Sequence, residues 1–223
     1  MSVWETARAS GELVYRFRQS ESPVLTQPGP WGRTLPSRIA TDGDNARYNG
    51  YCAALATHWA SLRMTGMDFV YDKQTSRLDG IAHWRATKEQ SLYRDGAGLK
   101  SLLANYGFSY KRFQNCPFRP SGPAIAMAAA AHSGPLYISL KRKGGGHGVA
   151  VHAEHHGGRE VYRYFDANYG HFEFASRDRF AAWLDEFLKT VSGYHDRYDR
   201  FFIYALNYDR QQRVQDLIER FGD

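Results

Sequence analysis

The sequence is poor in cysteine, since its 223 residues include only Cys52 and Cys116. Two cysteines form at most one bridge, which excludes the class of small secreted proteins that disulfides stabilise, and we expect free thiols in a reducing compartment. Long apolar runs are also missing: none approaches the roughly 20 residues that a membrane-spanning helix needs. The first thirty residues lack the basic and apolar regions of a signal peptide, so we expect no cleavable leader.

The remaining composition is that of a basic globular protein. Hydrophobic residues make up 43% of the chain, enough to bury a core as one domain or as a domain with appendages. The net charge of +6 suits an acidic partner, an anionic membrane surface or a nucleic acid. Because the basic residues are scattered among acids and no nucleic-acid-binding motif accompanies them, we expect no nucleic-acid partner.

The N-terminal fifth of the chain differs in composition from the rest. Residues 1–44 contain a short helix or strand around Glu12–Arg18, followed by a tract rich in Pro, Gly and Ser that is typical of a loop or linker. We predict an N-terminal arm or linker over 1–44 and one domain over 45–223. Two origins for the arm stay open: a segment packed on the domain, or the remainder of a longer polypeptide.

Within 45–223, helical periodicity gives way to strand-like alternation. Helices are predicted after Gly50, over Gly96–Tyr106 and over Pro123–His132; strands over Tyr110–Gln114, Pro135–Lys143, Gly148–Glu154, Glu160–Asp166 and His171–Ala175; then helix Arg177–Val191, strand Arg200–Asn207 and helix Arg210–Phe221. Turns rich in Gly and Asn join successive strands into an antiparallel meander. The fold class is therefore α+β, with a helix packed on an antiparallel sheet. The aromatic residues of 162–174 are expected to pack the sheet against the helix that carries Cys52.

Cys52 lies in the first turn of the most convincing buried helix. Leu55, Ala56, Trp59 and Leu62 recur with it at helical spacing on one apolar face. At a helix start, free backbone N–H groups and the helix dipole stabilise a thiolate and lower the thiol pKa. Cysteine on an apolar helix face is more often inert packing. The assignment of Cys52 as a nucleophile therefore depends on its partners.

His147 and Asp166 are the predicted partners. His147 follows three glycines at the start of a predicted strand, and Asp166 ends the next strand, so a hairpin brings the two side chains to neighbouring strand ends. A thiol nucleophile needs a histidine, and the histidine needs a carboxylate that fixes its tautomer. His152 is a competitor, but on an alternating strand it points to the opposite face from His147. We favour His147.

Three segments resemble the YopT/AvrPphB family of bacterial effector cysteine peptidases: GYCAALATHW, GGGHGVAVH and YRYFDANYGHFEF. They are similar to the family's cysteine at a helix start, its Gly-His strand and its Phe-Asp turn. The resemblance implies a papain-like fold with Cys52 as nucleophile, His147 as general base and acid, and Asp166 as orienting carboxylate. Ala167 stands where the family usually has proline, and the interval from His147 to Asp166 is a few residues longer.

The resemblance also implies an activity and a setting. We expect a cysteine endopeptidase without a cofactor, an effector or toxin that a bacterium secretes without a cleavable signal peptide and delivers into a host or target cell. Its expected partner is a protein substrate, and the basic charge suits an acidic or membrane-adjacent one. Deamidation or acyl transfer by the same triad, and a non-catalytic protein-binding module, stay open as alternatives.

Papain-like enzymes complete the oxyanion hole with a side-chain donor shortly upstream of the nucleophile. Asn45 and Asn49 have the right chemistry; Asn49 also suits a turn or a helix cap, so Asn45 is the first choice. We expect no metal site, because no HExxH or paired CxxC motif accompanies the histidines. Cys116 precedes a proline with no helix start or histidine nearby, and we expect it to be structural.

Overall fold

The computed structural model describes residues 13–16, 52–66, 71–72, 77–78 and 98–209. Its helices are α1 (Cys52–Met64), α2 (Gly98–Ala104), α3 (Gly122–Ala130), α4 (Arg177–Glu186) and α5 (Tyr194–Arg197), with a π-helical turn at Phe187–Val191. Its strands are β1 (Leu13–Arg16), β2 (Tyr71–Asp72), β3 (Arg77–Leu78), β4 (Phe108–Cys116), β5 (Leu136–Arg142), β6 (Gly145–His156), β7 (Arg159–Asp166), β8 (Gly170–Phe174) and β9 (Arg200–Tyr208).

Seven strands form one antiparallel sheet in the order β1-β8-β7-β6-β5-β9-β4, while β2 and β3 pair separately. Strands β5 to β8 are the predicted meander. Strand β9 returns from the end of the described chain and inserts between β5 and β4, a long-range step that local periodicity does not predict. The α+β class, with helices and an antiparallel sheet, is confirmed.

The sheet has two covered faces, which we call the α1 face and the α4 face. On the α1 face, Leu55 and Trp59 pack with Ala150 and Phe165, and the Trp59 and Phe165 rings stack at 5.8 Å. On the α4 face, helices α3 and α4 cover the alternate residues of the same strands, whose side chains point away from α1. Because successive side chains point to opposite faces, a strand covered on both sides contributes to two cores.

That alternation corrects the prediction for the aromatic stretch 162–174. Only Phe165 packs on the α1 face; its aromatic neighbours in the stretch lie in the other core, against α4 and the π-helical turn: Tyr162, Tyr164, Tyr169, Phe172 and Phe174. Trp183 of α4 lies with its ring centroid 4.6 Å from that of Phe172. The expectation that this stretch faces the helix of Cys52 is therefore wrong for most of its residues.

Several element boundaries also differ from the predicted ones. Strand β4 is nine residues long because it pairs with β9 over most of its length. Strand β6 begins at Gly145, inside the glycine triplet predicted as a turn, since Gly145 and Gly146 continue the ladder with β5. The helix predicted to reach Val191 ends at Glu186, and the chain continues as a π-helical turn.

Outside this core, the segment predicted around Glu12–Arg18 forms β1, an edge strand on β8 with Tyr15 buried. The other residues of 1–44 and the predicted helix Arg210–Phe221 lie outside the described residues, and the division at residue 44 stays a prediction. In the part of the chain that the structure describes, the helices are too short or too polar to cross a membrane.

Candidate active site

The site lies where β6 runs past the end of β7. Val149 pairs with Asp166, the last residue of β7, so Gly148 and His147 extend beyond the neighbouring strand. Helix α1 packs across β6 from the α1 face and begins at Cys52. The open edge of β6 and the start of α1 therefore meet at one point.

His147 and Asp166 form a buried pair there. The Nε2 atom of His147 lies 3.0 Å from Oδ1 of Asp166, and the two residues are 6% and 0% exposed. Because a carboxylate only accepts, Nε2–H donates to it, and the imidazole turns its other nitrogen, Nδ1, to further partners. The second partner of the ring is Cys52, which is hydrogen-bonded to His147 and only partly buried.

The pKa values of this pair move in opposite directions. Desolvation alone raises the pKa of the Cys52 thiol, but the charge and hydrogen bond of His147, with the N–H of Gly148, outweigh it and hold the pKa below its ordinary value. Burial alone lowers the pKa of His147, yet the charges of Asp166 and Cys52 raise it well above its ordinary value. This arrangement favours a thiolate beside an imidazolium.

Gly148 contributes its backbone. Its N–H, on the side of β6 that β7 has left, donates to the sulfur of Cys52. A Cβ atom at this position would collide with the hydroxyl of Tyr137. Because Gly148 has no side chain, the Tyr137 ring and the Cys52 thiol can both lie close to its backbone.

Asp166 is itself held by two further donors. The Tyr164 hydroxyl donates to Oδ2 at 3.2 Å, and the backbone N–H of Asn168 donates to Oδ1 at 2.7 Å. Burial and the charge of Asp166 raise the pKa of Tyr164 well above its ordinary value, which keeps the phenol protonated as a donor. The turn at Ala167–Tyr169 thus aims the carboxylate without the proline that the family resemblance leads one to expect.

A second tyrosine packs against the histidine ring. The ring centroids of Tyr194 and His147 are 5.1 Å apart, and the Tyr194 hydroxyl accepts a hydrogen bond of 3.0 Å from Nδ2 of Asn168. Tyr164 lies two residues before Asp166, so alternation puts both on one face and could have identified it. Tyr194 comes from a distant helix, and no pattern in the sequence marks it.

The other candidates from the sequence lie elsewhere. His152 is on the α1 face beside Glu154 and Arg163, as alternation from His147 predicts. Cys116 is buried in the α4-face core, where burial raises the pKa of its thiol. Asn45 and Asn49 fall outside the described residues. Within the described ranges, no three His, Cys, Asp or Glu side chains gather as a metal site does.

Comparisons with known proteins found a matching family profile and a similar solved structure. A family profile described as "Yersinia/Haemophilus virulence surface antigen", of the C58 peptidases, matches residues 118–211, which include His147 and Asp166 but not Cys52. The crystal structure of the Pseudomonas avirulence protein AvrPphB superposes with a TM-score of 0.55 at 17% identity, over 74% of this chain and 95% of that one.

The chain resembles the YopT/AvrPphB family of cysteine peptidases over residues 118–211, less than half of its length, and in its fold. Its fold is papain-like, as the match to AvrPphB shows at an identity too low to carry any single residue across. A comparison with curated proteins found no match.

Proposed function

We propose that this protein is a cysteine endopeptidase in which Cys52 is the nucleophile, His147 the general base and acid, and Asp166 the residue that orients His147. The observation that carries the proposal is the buried hydrogen bond from His147 to Asp166 at the end of a strand, with Cys52 close enough to the imidazole for His147 to lower the pKa of its thiol. A lone core cysteine needs no such partners, and Cys116 in the same protein has none of them.

The reaction follows from the charges. The Cys52 thiolate attacks the peptide carbonyl carbon, and the oxyanion that forms is stabilised by the backbone N–H of Cys52 at the start of α1, with Asn45 or Asn49 as the proposed side-chain donor. His147 gives its proton to the leaving amine as the C–N bond breaks, which leaves a thioester. Water, deprotonated by His147, then hydrolyses the thioester and regenerates the thiol.

Asp166 keeps the imidazole in the tautomer and orientation that both proton transfers need, and its negative charge stabilises the imidazolium. Tyr164 and Asn168 fix the carboxylate in turn. The partly exposed Cys52 beside the buried His147 lets a substrate reach the sulfur while the proton-transfer path stays away from bulk water.

The proposed setting is a bacterial effector delivered into a host or target cell, where it cleaves a protein. Two observations support it: the family profile carries the description of a virulence antigen, and AvrPphB is described as an avirulence protein. The net charge of +6 supports an acidic or membrane-adjacent substrate. Expression of the parent and of Cys52→Ala in host cells, followed by mass spectrometry of new N-termini, tests this setting directly.

The mechanism is tested by the rate of iodoacetamide alkylation across pH in the parent and in His147→Ala, with Cys52→Ala as the blank for Cys116. The parent should react on a plateau that extends well below the free-thiol pKa of about 8.5. His147→Ala should lose that plateau. If the parent thiol titrated near about 8.5 and its alkylation rate did not change in His147→Ala, Cys52 would be a core residue and not a nucleophile.

The reaction type is tested with peptides. Incubation with a proteome-derived peptide library should give broken chains with the parent and none with Cys52→Ala. Intact peptides that gain the mass of a deamidated glutamine would instead support a deamidase with the same triad. Intact, unmodified peptides would favour the binding-module alternative.

A further inference from the structure

A lysine stands on the α1 face next to the thiol. Lys141 of β5 pairs with Gly146 of β6, two residues before Gly148, whose N–H reaches Cys52. Four residues further along the same two strands, Tyr137 pairs with Ala150, and both residues pack against α1. Because every second residue shares a face, Lys141 projects toward the side on which Cys52 begins its helix.

Its side chain folds over the glycine opposite. A Cβ atom built on Gly146 would lie 2.8 Å from the backbone oxygen of Leu140, 3.3 Å from Cδ and 3.6 Å from Nζ of Lys141, so the lysine side chain lies alongside this glycine. The residue is partly buried. Burial lowers the pKa of Lys141, and the charge of Cys52 opposes that shift.

Lys141 also lacks a carboxylate partner among the described residues, in contrast to Arg163 of β7 and Arg200 of β9. Arg163 contacts both Glu154 and Glu173, at 2.6 and 2.8 Å. Arg200, which pairs with Lys141 across β5 and β9, lies 3.5 Å from Asp199. A partly buried ammonium without a carboxylate partner attracts an anion more strongly than a fully hydrated one does. The thiolate supplies that charge only while Cys52 is ionised and unacylated.

We propose that Lys141 determines specificity by binding the carboxylate of an Asp or Glu side chain in the protein substrate, within about two residues of the scissile bond. This inference rests on the proposed function of Cys52. An extended peptide advances about 3.3 Å per residue, so a cation this close to the nucleophile reaches only the residues that flank the cleaved bond. A carboxylate gains more from an ammonium than a neutral peptide group does, which makes the preference one for acidic residues.

Cleavage of a proteome-derived peptide library provides the first test. The parent should cut with Asp or Glu enriched at one position within about two residues of the cleaved bond. Lys141→Gln should lose that enrichment, Lys141→Arg should keep it, and Lys143→Gln, an exposed change at the end of the same hairpin, should leave it unaltered. In Lys141→Gln, kcat/KM on one acidic peptide should fall about tenfold more than kcat/KM on its amide counterpart does.

A second test needs no substrate. Alkylation of Cys52 by anionic iodoacetate, relative to neutral iodoacetamide, should slow by about two- to fivefold in Lys141→Gln and stay unchanged in Lys143→Gln. Acid enrichment that survives Lys141→Gln, or peptides cut by the parent with no acid preference, would overturn the inference while the peptidase mechanism stands. An equal loss on acidic and neutral peptides would also overturn it, because the lysine would then support the thiolate instead. If the parent cut no peptide and its Cys52 thiol titrated with an ordinary pKa, the proposed peptidase function itself would be wrong.

Discussion

Strand β6 carries two buried histidines five residues apart, on opposite faces of the sheet. His147 is 6% exposed and His152 is 5% exposed, so both lose almost all contact with water. Yet the pKa of His147 is raised well above its ordinary value, while the pKa of His152 falls to about 4. Burial by itself disfavours the imidazolium at both positions, so the difference lies in the neighbours.

The neighbours differ in charge and geometry. His147 donates to a carboxylate that is itself fully buried, and the charge of Cys52 also raises the pKa of His147. Glu154 Oε1 lies 3.2 Å from Nδ1 of His152 without the geometry of a hydrogen bond, and Glu154 also contacts Arg163 at 2.6 Å. Burial and the positive charges of Arg163, Arg63 and His132 keep His152 neutral. The pKa of a buried histidine is thus raised on one face of the sheet and lowered on the other.

The largest expected effect separates the two histidines directly. His147→Gln should lower kcat/KM on a cleavable peptide by about 10⁴-fold, the scale of removing a triad member, because it removes the group that we propose activates the thiol and protonates the leaving amine. His152→Gln should stay within about threefold of the parent. Both variants are assayed after their folded fraction is matched by thermal unfolding. A greater loss in His152→Gln would reverse the assignment of the two histidines.

Asp166→Asn sharpens the comparison by making the environment of His147 more like that of His152. We expect kcat/KM to fall by about 10²- to 10⁴-fold, because an amide cannot hold the same tautomer or stabilise the imidazolium. Since Asp166 is among the groups that raise the pKa of His147, the alkaline limb of the pH–rate profile should move to lower pH. Asp178→Asn, the same chemical change at an exposed acid of α4, should alter neither quantity.

Local patterns in the sequence predicted much of this arrangement. Alternation predicted that His147 and His152 face opposite ways, and the hairpin spacing predicted that His147 and Asp166 meet, because both depend on neighbouring strands. The start of α1 at Cys52 followed from helical periodicity.

What the sequence did not predict comes from contacts between distant segments. The insertion of β9 between β5 and β4, the ring of Tyr194 on His147 and the position of Lys141 beside the thiol each depend on how the sheet closes. The two-core partition of 162–174 was missed because a strand buried on both faces shows no apolar–polar alternation. The roles of Asn45 and Asn49 stay predictions.

The next prediction tests the difference between the two histidines through the pH dependence of folding stability. The folded pKa of His152, about 4, lies below its unfolded value of about 6.5. Its contribution to stability is therefore complete above pH 6.5 and is lost as pH falls toward 4. His147, with a raised pKa, contributes in the opposite sense, with stability lost as pH rises through its folded pKa.

Urea unfolding measures the difference. Between about pH 7 and about pH 5 the linkage of His152 should cost the parent roughly 2 kcal/mol of unfolding free energy, and His152→Gln should show a correspondingly flatter profile. The surrounding charges of Glu154, Arg163, Arg63 and His132 are present in both proteins. Equal slopes in the two proteins would mean that His152 takes up its proton as readily in the folded chain as in the unfolded one.

The smallest effect concerns the hydroxyl of Tyr194. Tyr194→Phe keeps the ring that packs on His147 and removes only the acceptor of the Asn168 side chain. Because Asp166 keeps its own hydrogen bonds from Tyr164 and from the backbone of Asn168, we expect kcat/KM to fall by only about two- to threefold. Tyr164→Phe, which removes a donor to the carboxylate itself, is the matched comparison and should cost more, about tenfold. If the two variants fell equally, the turn that carries Asn168 would be orienting Asp166 as strongly as the direct hydrogen bond does, and the carboxylate would depend on its loop as much as on its strand.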